Sequence, residues 1–169
     1  MTDPYHSVSW LRVREGNPQA ASLLAVMHDR IFSPAYERIW QADDFTEVMR
    51  MPGAEVLLLK VQDGSEGEGV PAGFLALSHM AGEAEILTFG IDPEFQGRGL
   101  GRQALCQYLA SAKGISDIFL EVRQSNHAAI GLYKHVGFTQ TGLRPDYYKL
   151  TNGQRENAIL MHYQVLDQA

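Results

Sequence analysis

The chain has 169 residues, 45% of them hydrophobic and 20% charged, with a formal net charge of −6 and a single cysteine. That is the length and composition of one globular domain with a substantial core. The acidic balance argues mildly against bulk nucleic-acid binding, which favours a basic face, and it suits either a cationic substrate or simple solubility. One cysteine excludes a disulfide framework and a CxxC metal site, and the six histidines show no metal-ligating spacing. No basic segment followed by an apolar run opens the chain, and no stretch reaches membrane-span length. The expectation is a cytoplasmic protein with no membrane partner and no metal.

Residues 8–14 alternate as a strand does. Gly16 or Asn17 can cap a helix over 20–31, Pro18 suits its first turn, and Leu23, Leu24, Met27 and Ile31 share a face. Phe32, Ser33 and Pro34 break it. A shorter helix over 40–51 points Phe45, Val48 and Met49 inward and ends at Pro52-Gly53. Strands follow over 55–62 and 72–80, joined by a polar glycine-rich hairpin tip over 63–69. Residues 86–91 form a short apolar run with β-branched residues, a buried strand, and Asp92-Pro93-Glu94-Phe95 turns the chain out of it. A helix over 100–113 places Leu100, Ala104, Leu105, Tyr108, Leu109 and Ala112 on one face; Cys106 on this helix reads as a buried, inert thiol. Residues 117–122 are a strand, Ser125 or Asn126 caps a helix through Val136, and Gly137 ends it. Segments 138–144 and 157–165 form a closing hairpin around a long polar loop that carries Tyr147 and Tyr148. The order is βααβββαβαββ: one α/β domain over 1–169 with a mixed, mostly antiparallel sheet.

The stretch with chemical content lies between the 86–91 strand and the following helix. Gln96-Gly97-Arg98-Gly99-Leu100-Gly101 is a glycine-rich turn opening a helix. Glycines let backbone N–H groups converge, and a helix start has unpaired donors and partial positive charge, so strand, turn and helix together make a phosphate cradle. A Walker motif is excluded, because no Lys-Ser/Thr follows the glycines. A dinucleotide fold remains possible, with Glu121 near the place of its acidic ribose partner, although several strands precede the turn.

The loop resembles the Q/R-x-x-G-x-G/A motif of the GCN5-related N-acetyltransferase (GNAT) family. The resemblance continues through Leu120-Glu121-Val122-Arg123, Ser125-Asn126, Ala128-Ala129-Ile130, Leu132-Tyr133 and Gly137-Phe138, and covers most of the chain after about Gly73. It is similar to the RimI branch, whose members acetylate the N-terminal alanine of a ribosomal protein. Arg144, Tyr147-Tyr148, Gly153 and residues 156–161 resemble that branch's R-x-x-YY … G-R-E-D-A-I-x-M.

The resemblance implies acetyl-CoA as co-substrate, held at the pyrophosphate by Gln96, Gly97, Arg98, Gly99, Leu100, Gly101 and Arg102. It implies that Phe89, Gly90 and Ile91 end a strand that splays from its neighbour at a bulge. There the strand pairs with the pantetheine arm and offers an N–H to the oxyanion of the reaction. Gly90 reads equally as a strand glycine placed for packing. Asn126 would bond the pantetheine amide, compatibly with helix capping only if Ser125 is the cap. Glu121 takes the general-base position and Tyr133 the general-acid position, with direct transfer in a ternary complex. Each also has a plain reading, as a strand-end surface charge and a core aromatic. The acceptor side is expected mainly within 1–80, the cofactor side within 81–138, and the closing hairpin over 138–166. Phe32-Ser33-Pro34 and Trp40-Gln41 resemble the branch's aromatic acceptor stretch with altered spacing, Asn157 stands where the branch has an acid, and Tyr147 and Tyr148 read equally as covers for a bound peptide N-terminus and as loop aromatics packed on the sheet. The competing functions are an acetyltransferase for a small amine, a non-catalytic CoA-binding module and a dinucleotide oxidoreductase.

Overall fold

The computed structural model describes residues 7–33, 38–62, 67 and 69–165. Pro34 of the helix break, positions 63–66 and 68 of the glycine-rich tip and residue 166 of the expected hairpin lie outside the described residues. The elements run β1 (Ser7–Val13), α1 (Pro18–Phe32), α2 (Ala42–Arg50), β2 (Ala54–Gln62), β3 (Val70–Met80), β4 (Glu83–Ile91), α3 (Leu100–Ser111), β5 (Asp117–Arg123), α4 (His127–Val136), β6 (Thr139–Lys149) and β7 (Arg155–Gln164). This is the expected order.

Local chemistry explains most boundaries. Asn17 caps α1 by accepting from the Ala20 N–H at 3.0 Å, and Pro18 takes the first helical position. α2 starts two residues later than the pattern predicts: the Gln41 N–H donates to Asp44 at 2.7 Å, and the Trp40 N–H turns back to His28 Nδ1 at 3.3 Å. α4 ends on Gly137 in the left-handed region at φ 117°, which only glycine enters without strain. On α1, Leu24 and Met27 are buried but Leu23 is 36% exposed, so the apolar face is narrower than expected. On α3, Cys106 is exposed, against expectation, because Ala104, Leu105, Tyr108 and Leu109 carry the buried stripe.

The seven strands form one sheet in the order β1-β2-β3-β4-β5-β7-β6. All neighbours are antiparallel except β4 and β5. α1 and α2 pack on one face over Val56, Leu58, Phe74 and Ala76, with Phe45 fully buried between them. Leu105, Tyr108 and Leu109 of α3 and Tyr133 of α4 pack on the other face with Leu57, Leu75, Leu77, Leu120 and Met161. Among the described residues, no helix is long and apolar enough to cross a membrane.

Two irregularities position the site. In β4, Ala76 of β3 pairs with Thr88 and Leu77 pairs with Ile86, so Leu87 is an extra, bulged residue. Pairing of β4 with β5 stops at the same point, Ile86 opposite Leu120, and the two strands then part. In β6, residues 145–147 stand opposite the single residue Asn157. Pro145 has no N–H for the ladder, and Asp146 has φ 52°. Tyr147 and Tyr148 therefore lie in a bulged edge strand. The expected long loop shrinks to the turn after Lys149, where the Gly153 N–H donates to Leu150 O at 2.9 Å.

Candidate active site

The gap between β4 and β5 opens into a cavity of about 1130 Å³. Its wall includes Phe89, Gly90, Ile91, Gln96, Gly97, Gly99, Leu100, Gly101, Arg102 and Asn126. Arg98 is the one expected cofactor residue that does not line it. The floor is rigidly tied. Asp92, buried, accepts from the Glu94 N–H at 3.1 Å and from Arg30 Nη2 at 3.0 Å. Gln96 donates its side-chain amide to Ile91 O at 2.8 Å, so its side chain braces the strand end and its wall contribution is to the loop's shape.

Gly97 and Gly99 have φ of 74° and 76°, and a methyl group at either would meet nothing within 4 Å. Their role is conformational: they turn the chain so that α3 starts with no side-chain cap. The first helical bond is Gln103 N–H to Gly99 O at 3.1 Å, so the amides of Leu100, Gly101 and Arg102 precede it. Gly101 serves closeness instead, because an added methyl would sit 3.3 Å from Leu132 and 3.4 Å from Ile91.

The strand end supplies further donors, and its alternation fixes which. The Asp92 N–H bonds Ala72 O across to β3 at 2.8 Å. Successive strand residues turn their polar groups to opposite edges, so Gly90 also faces β3 while Phe89 and Ile91 face the gap. The Gln96 bond to Ile91 O lies on that same edge. Gly90 thus has the packing role: a methyl there would meet Ile31 of α1 at 2.9 and 3.0 Å.

A second cavity, about 310 Å³, lies on the other side. Phe32, Phe89, Arg123, Asn126, Ala129 and Tyr133 belong to both walls, so the cavities meet there. Glu121 lines only the smaller one. Its side chain is 18% exposed, and Oε1 pairs with Arg144 Nη1 at 2.9 Å. The Arg144 guanidinium lies 4.8 Å above the Tyr147 ring. Burial, then the Glu121 charge, push the Tyr147 phenol above its ordinary range. Tyr148 donates its hydroxyl to Glu121 O at 3.4 Å. Tyr133 is 6% exposed, with its ring 5.6 Å from Phe138.

Asn126 caps α4, its Oδ1 accepting from the Ala129 N–H at 3.1 Å. Ser125 does not cap; its N–H donates to Glu156 at 2.5 Å. The capping condition set by the sequence therefore fails, yet the two roles coexist within one amide. Oδ1 caps, and Nδ2 is the donor available to a ligand.

The sequence reading missed His28 and Lys149, both in the smaller wall. His28 is 4% exposed and stacked on Trp40 at 5.7 Å. Burial pulls its pKa down to about 4, against the pull of Asp44. A lone histidine on an apolar helix face carries no signal of this kind. Trp40, noted only for its resemblance, is the cue that was present. The smaller wall also takes Tyr147, Tyr148 and Lys149 from the far end of the chain, beyond the 1–80 region expected to supply it.

Comparison with known proteins agrees with this geometry. The sequence profile of the acetyltransferase (GNAT) family matches residues 25–138. A ribosomal protein bS18-alanine N-acetyltransferase of Haemophilus ducreyi is 39% identical over 111 residues, covering 64% of this chain and 74% of the relative. A crystal structure of the ribosomal-protein-S18-alanine N-acetyltransferase from Escherichia coli superposes with a TM-score of 0.75 at 26% identity, covering 96% of this chain and 97% of the other. A spermidine N-acetyltransferase from Vibrio cholerae, solved with CoA and spermine, has a TM-score of 0.74 at 19% identity over 94% and 95% of the two chains. The last two scores are nearly equal, so overall shape does not choose between acceptors. With a profile match over more than half its length, on a sheet parted at the β4 bulge, this chain belongs to the acetyltransferase (GNAT) family.

Proposed function

We propose that the protein moves an acetyl group from acetyl-CoA to the N-terminal alanine of a ribosomal protein, by direct transfer in a ternary complex. The observation that carries this reading is the junction of the two cavities at Phe89, Asn126 and Tyr133, with Glu121 on one side of it and the α3 cradle on the other. Two reactants can meet there, each entering from its own cavity. The names of the relatives, both ribosomal-protein alanine N-acetyltransferases, support this choice of acceptor.

The residues fit the co-substrate. Amides of the loop from Gly97 to Arg102 would hold the pyrophosphate at the uncapped start of α3. Asn126 Nδ2 would meet the pantetheine arm. The thioester supplies an activated acetyl group and a thiolate leaving group. Glu121 takes a proton from the acceptor ammonium. One N–H of the strand end that faces the gap, from Phe89 or Ile91, donates to the acetyl carbonyl oxygen as charge builds on it, and the other is left for the pantetheine arm. Tyr133 returns a proton to the departing sulfur. Cys106 lines neither cavity, so no acyl-enzyme is routed through it.

The test is acetyl-CoA turnover on a peptide beginning with alanine, set against a polyamine panel, with mass spectrometry to place the acetyl group. Acetylation at the peptide's α-amine is expected. Turnover confined to polyamines would move the protein to small-amine chemistry, and CoA binding with no turnover on any amine would make it a binding module.

A further inference from the structure

The carboxylate proposed as the base already holds a cation. An amine that gives its proton directly to Glu121 comes within hydrogen-bond distance of that carboxylate. The group now at that distance is the Arg144 guanidinium, 2.9 Å from Oε1. We propose that Arg144 is a positioning residue and place-holder for the base: it holds Glu121 in the resting site, and acceptor binding exchanges this guanidinium for the acceptor's ammonium. The proposal rests on the reading of Glu121 as the base.

The fold builds this contact. β6 is the last strand of the sheet, and its bulge stands opposite Asn157 of β7, the strand that separates it from β5. Asn157 Oδ1 accepts from the Asp146 N–H at 3.0 Å, and Arg155 Nη1 donates to Asp146 O at 3.1 Å. Asn157 also donates Nδ2 to Gln124 Oε1 at 2.9 Å, which ties the bulge to the end of β5. A carboxylate at position 157 would accept from Asp146 but would have no proton for Gln124. The bulge brings Arg144, Tyr147 and Tyr148 to the same end of β5, where strict alternation would send Tyr147 to the opposite face from the other two.

The contact can also open. The Arg144 side chain is 50% exposed and stacks on Tyr147, itself 44% exposed. The guanidinium can leave the carboxylate while keeping its aromatic platform and reaching water. An exposed arginine pair is weak enough to be exchanged. It still gives the carboxylate an opposite charge while the cavity holds no amine, where an unpaired buried charge would be costly.

Arginine side-chain ¹⁵N NMR reads the exchange directly, with the Arg144 signal assigned through Arg144→Lys. Methylammonium is the probe, and tetramethylammonium, which has no N–H to give, is the control. Methylammonium should shift or broaden the Arg144 signal and tetramethylammonium should not; an Arg144 signal that ignores methylammonium up to saturation overturns the proposal. Steady-state kinetics with the alanine peptide gives the second readout. Arg144→Ala should lower the acceptor KM about two- to fivefold, as a competing cation is lost. The same change should leave kcat within about twofold, because in the acceptor complex the guanidinium has already left the carboxylate, and should leave the acetyl-CoA KM unchanged. Arg144→Lys, or free guanidinium added to Arg144→Ala, should bring the acceptor KM back towards the wild-type value. An acceptor KM that is raised or unchanged in Arg144→Ala, or a kcat that falls about tenfold or more, overturns the proposal. If the wild type turns over no amine, the functional reading fails, and the NMR experiment still decides whether the cation exchanges.

Discussion

The two cavities are built by different means. The larger one has, on one side, the end of β4 and the turn into α3, where glycines set the backbone conformation, and on the other the β5–α4 junction. The smaller one gathers residues from α1, the α1–α2 connection, β4, β5, α4 and β6, brought together by the sheet. A backbone cradle recognises phosphate in any family member that keeps the turn. A side-chain wall can change its acceptor one residue at a time. Acceptor chemistry is therefore where the two superposable relatives of nearly equal TM-score differ.

The sharpest way to break this comparison is to disable one side alone. Glu121→Gln keeps the shape of the smaller wall and removes the proposed base. Turnover should fall by about a hundred- to ten-thousandfold, with acetyl-CoA affinity within about twofold of the wild type. Tyr133→Phe belongs to both walls and should lose turnover in the same range. Calorimetry with CoA beside the kinetics separates chemistry from binding; CoA affinity falling together with turnover would mean that the two sides are not independent.

Next in size is a stability effect peculiar to the acceptor side. His28 has a folded pKa of about 4 against an ordinary 6.5. Above 6.5 it is neutral in both states. Between 6.5 and 4 the unfolded chain binds a proton that the folded chain refuses, so stability falls as the pH falls. Below 4 both states are protonated and the loss stops growing. A shift of this size is worth roughly 3 kcal/mol. Urea unfolding at pH 7, 5.5 and 4 should show that decline. His28→Phe should flatten this part of the profile, at the cost of about 1 kcal/mol for the Trp40 N–H left without its acceptor. An unchanged pH profile in that variant would assign the decline to other groups.

The same contrast explains what the sequence could reveal. Asn17 and Pro18 announce the start of α1, Gly137 announces the end of α4, and the Gln96–Gly101 turn announces the cradle, because each works through local backbone conformation. Glu121, Asn126 and Tyr133 were reachable only through resemblance, since their spacing alone fits a surface charge, a cap and a core ring. The acceptor wall was mostly hidden. Tyr147 and Tyr148 read equally as covers for a bound peptide N-terminus and as loop aromatics, and the sheet carries them in an edge strand whose bulge is pinned by Asn157. His28 gives no signal in the sequence; it is 4% exposed and lines the wall as well. Cys106 was misjudged by one position on a helix face, where a residue turns by a quarter of a circle.

A smaller effect tests whether the cradle depends on conformation. Gly99→Ala adds a methyl into open space, so its only cost is the left-handed backbone, about 1–2 kcal/mol. If that cost is released by straightening the turn, the first-turn amides of α3 lose their aim. The acetyl-CoA KM should rise about tenfold while the acceptor KM stays constant. A thermal unfolding scan would show whether the strain is retained, with KM unchanged and stability lower, or released, with KM raised.

The smallest effect separates two functions within a single side chain. Asn126 caps α4 with Oδ1, and Nδ2 is the donor left for the pantetheine arm. Asn126→Asp preserves the cap, and a negative charge at a helix start is itself favourable by some tenths of a kcal/mol, so stability should hold or rise slightly. The same change deletes the donor, and one neutral hydrogen bond is worth about 0.5–1.5 kcal/mol. The acetyl-CoA KM should therefore rise about two- to tenfold with no loss of stability. Asn126→Ala should raise that KM similarly and also lose about 1 kcal/mol of stability as the cap disappears. If the aspartate variant binds acetyl-CoA as the wild type does, Asn126 is a cap and nothing more, and the pantetheine arm is held by other groups of the larger wall, the strand end of β4 first among them.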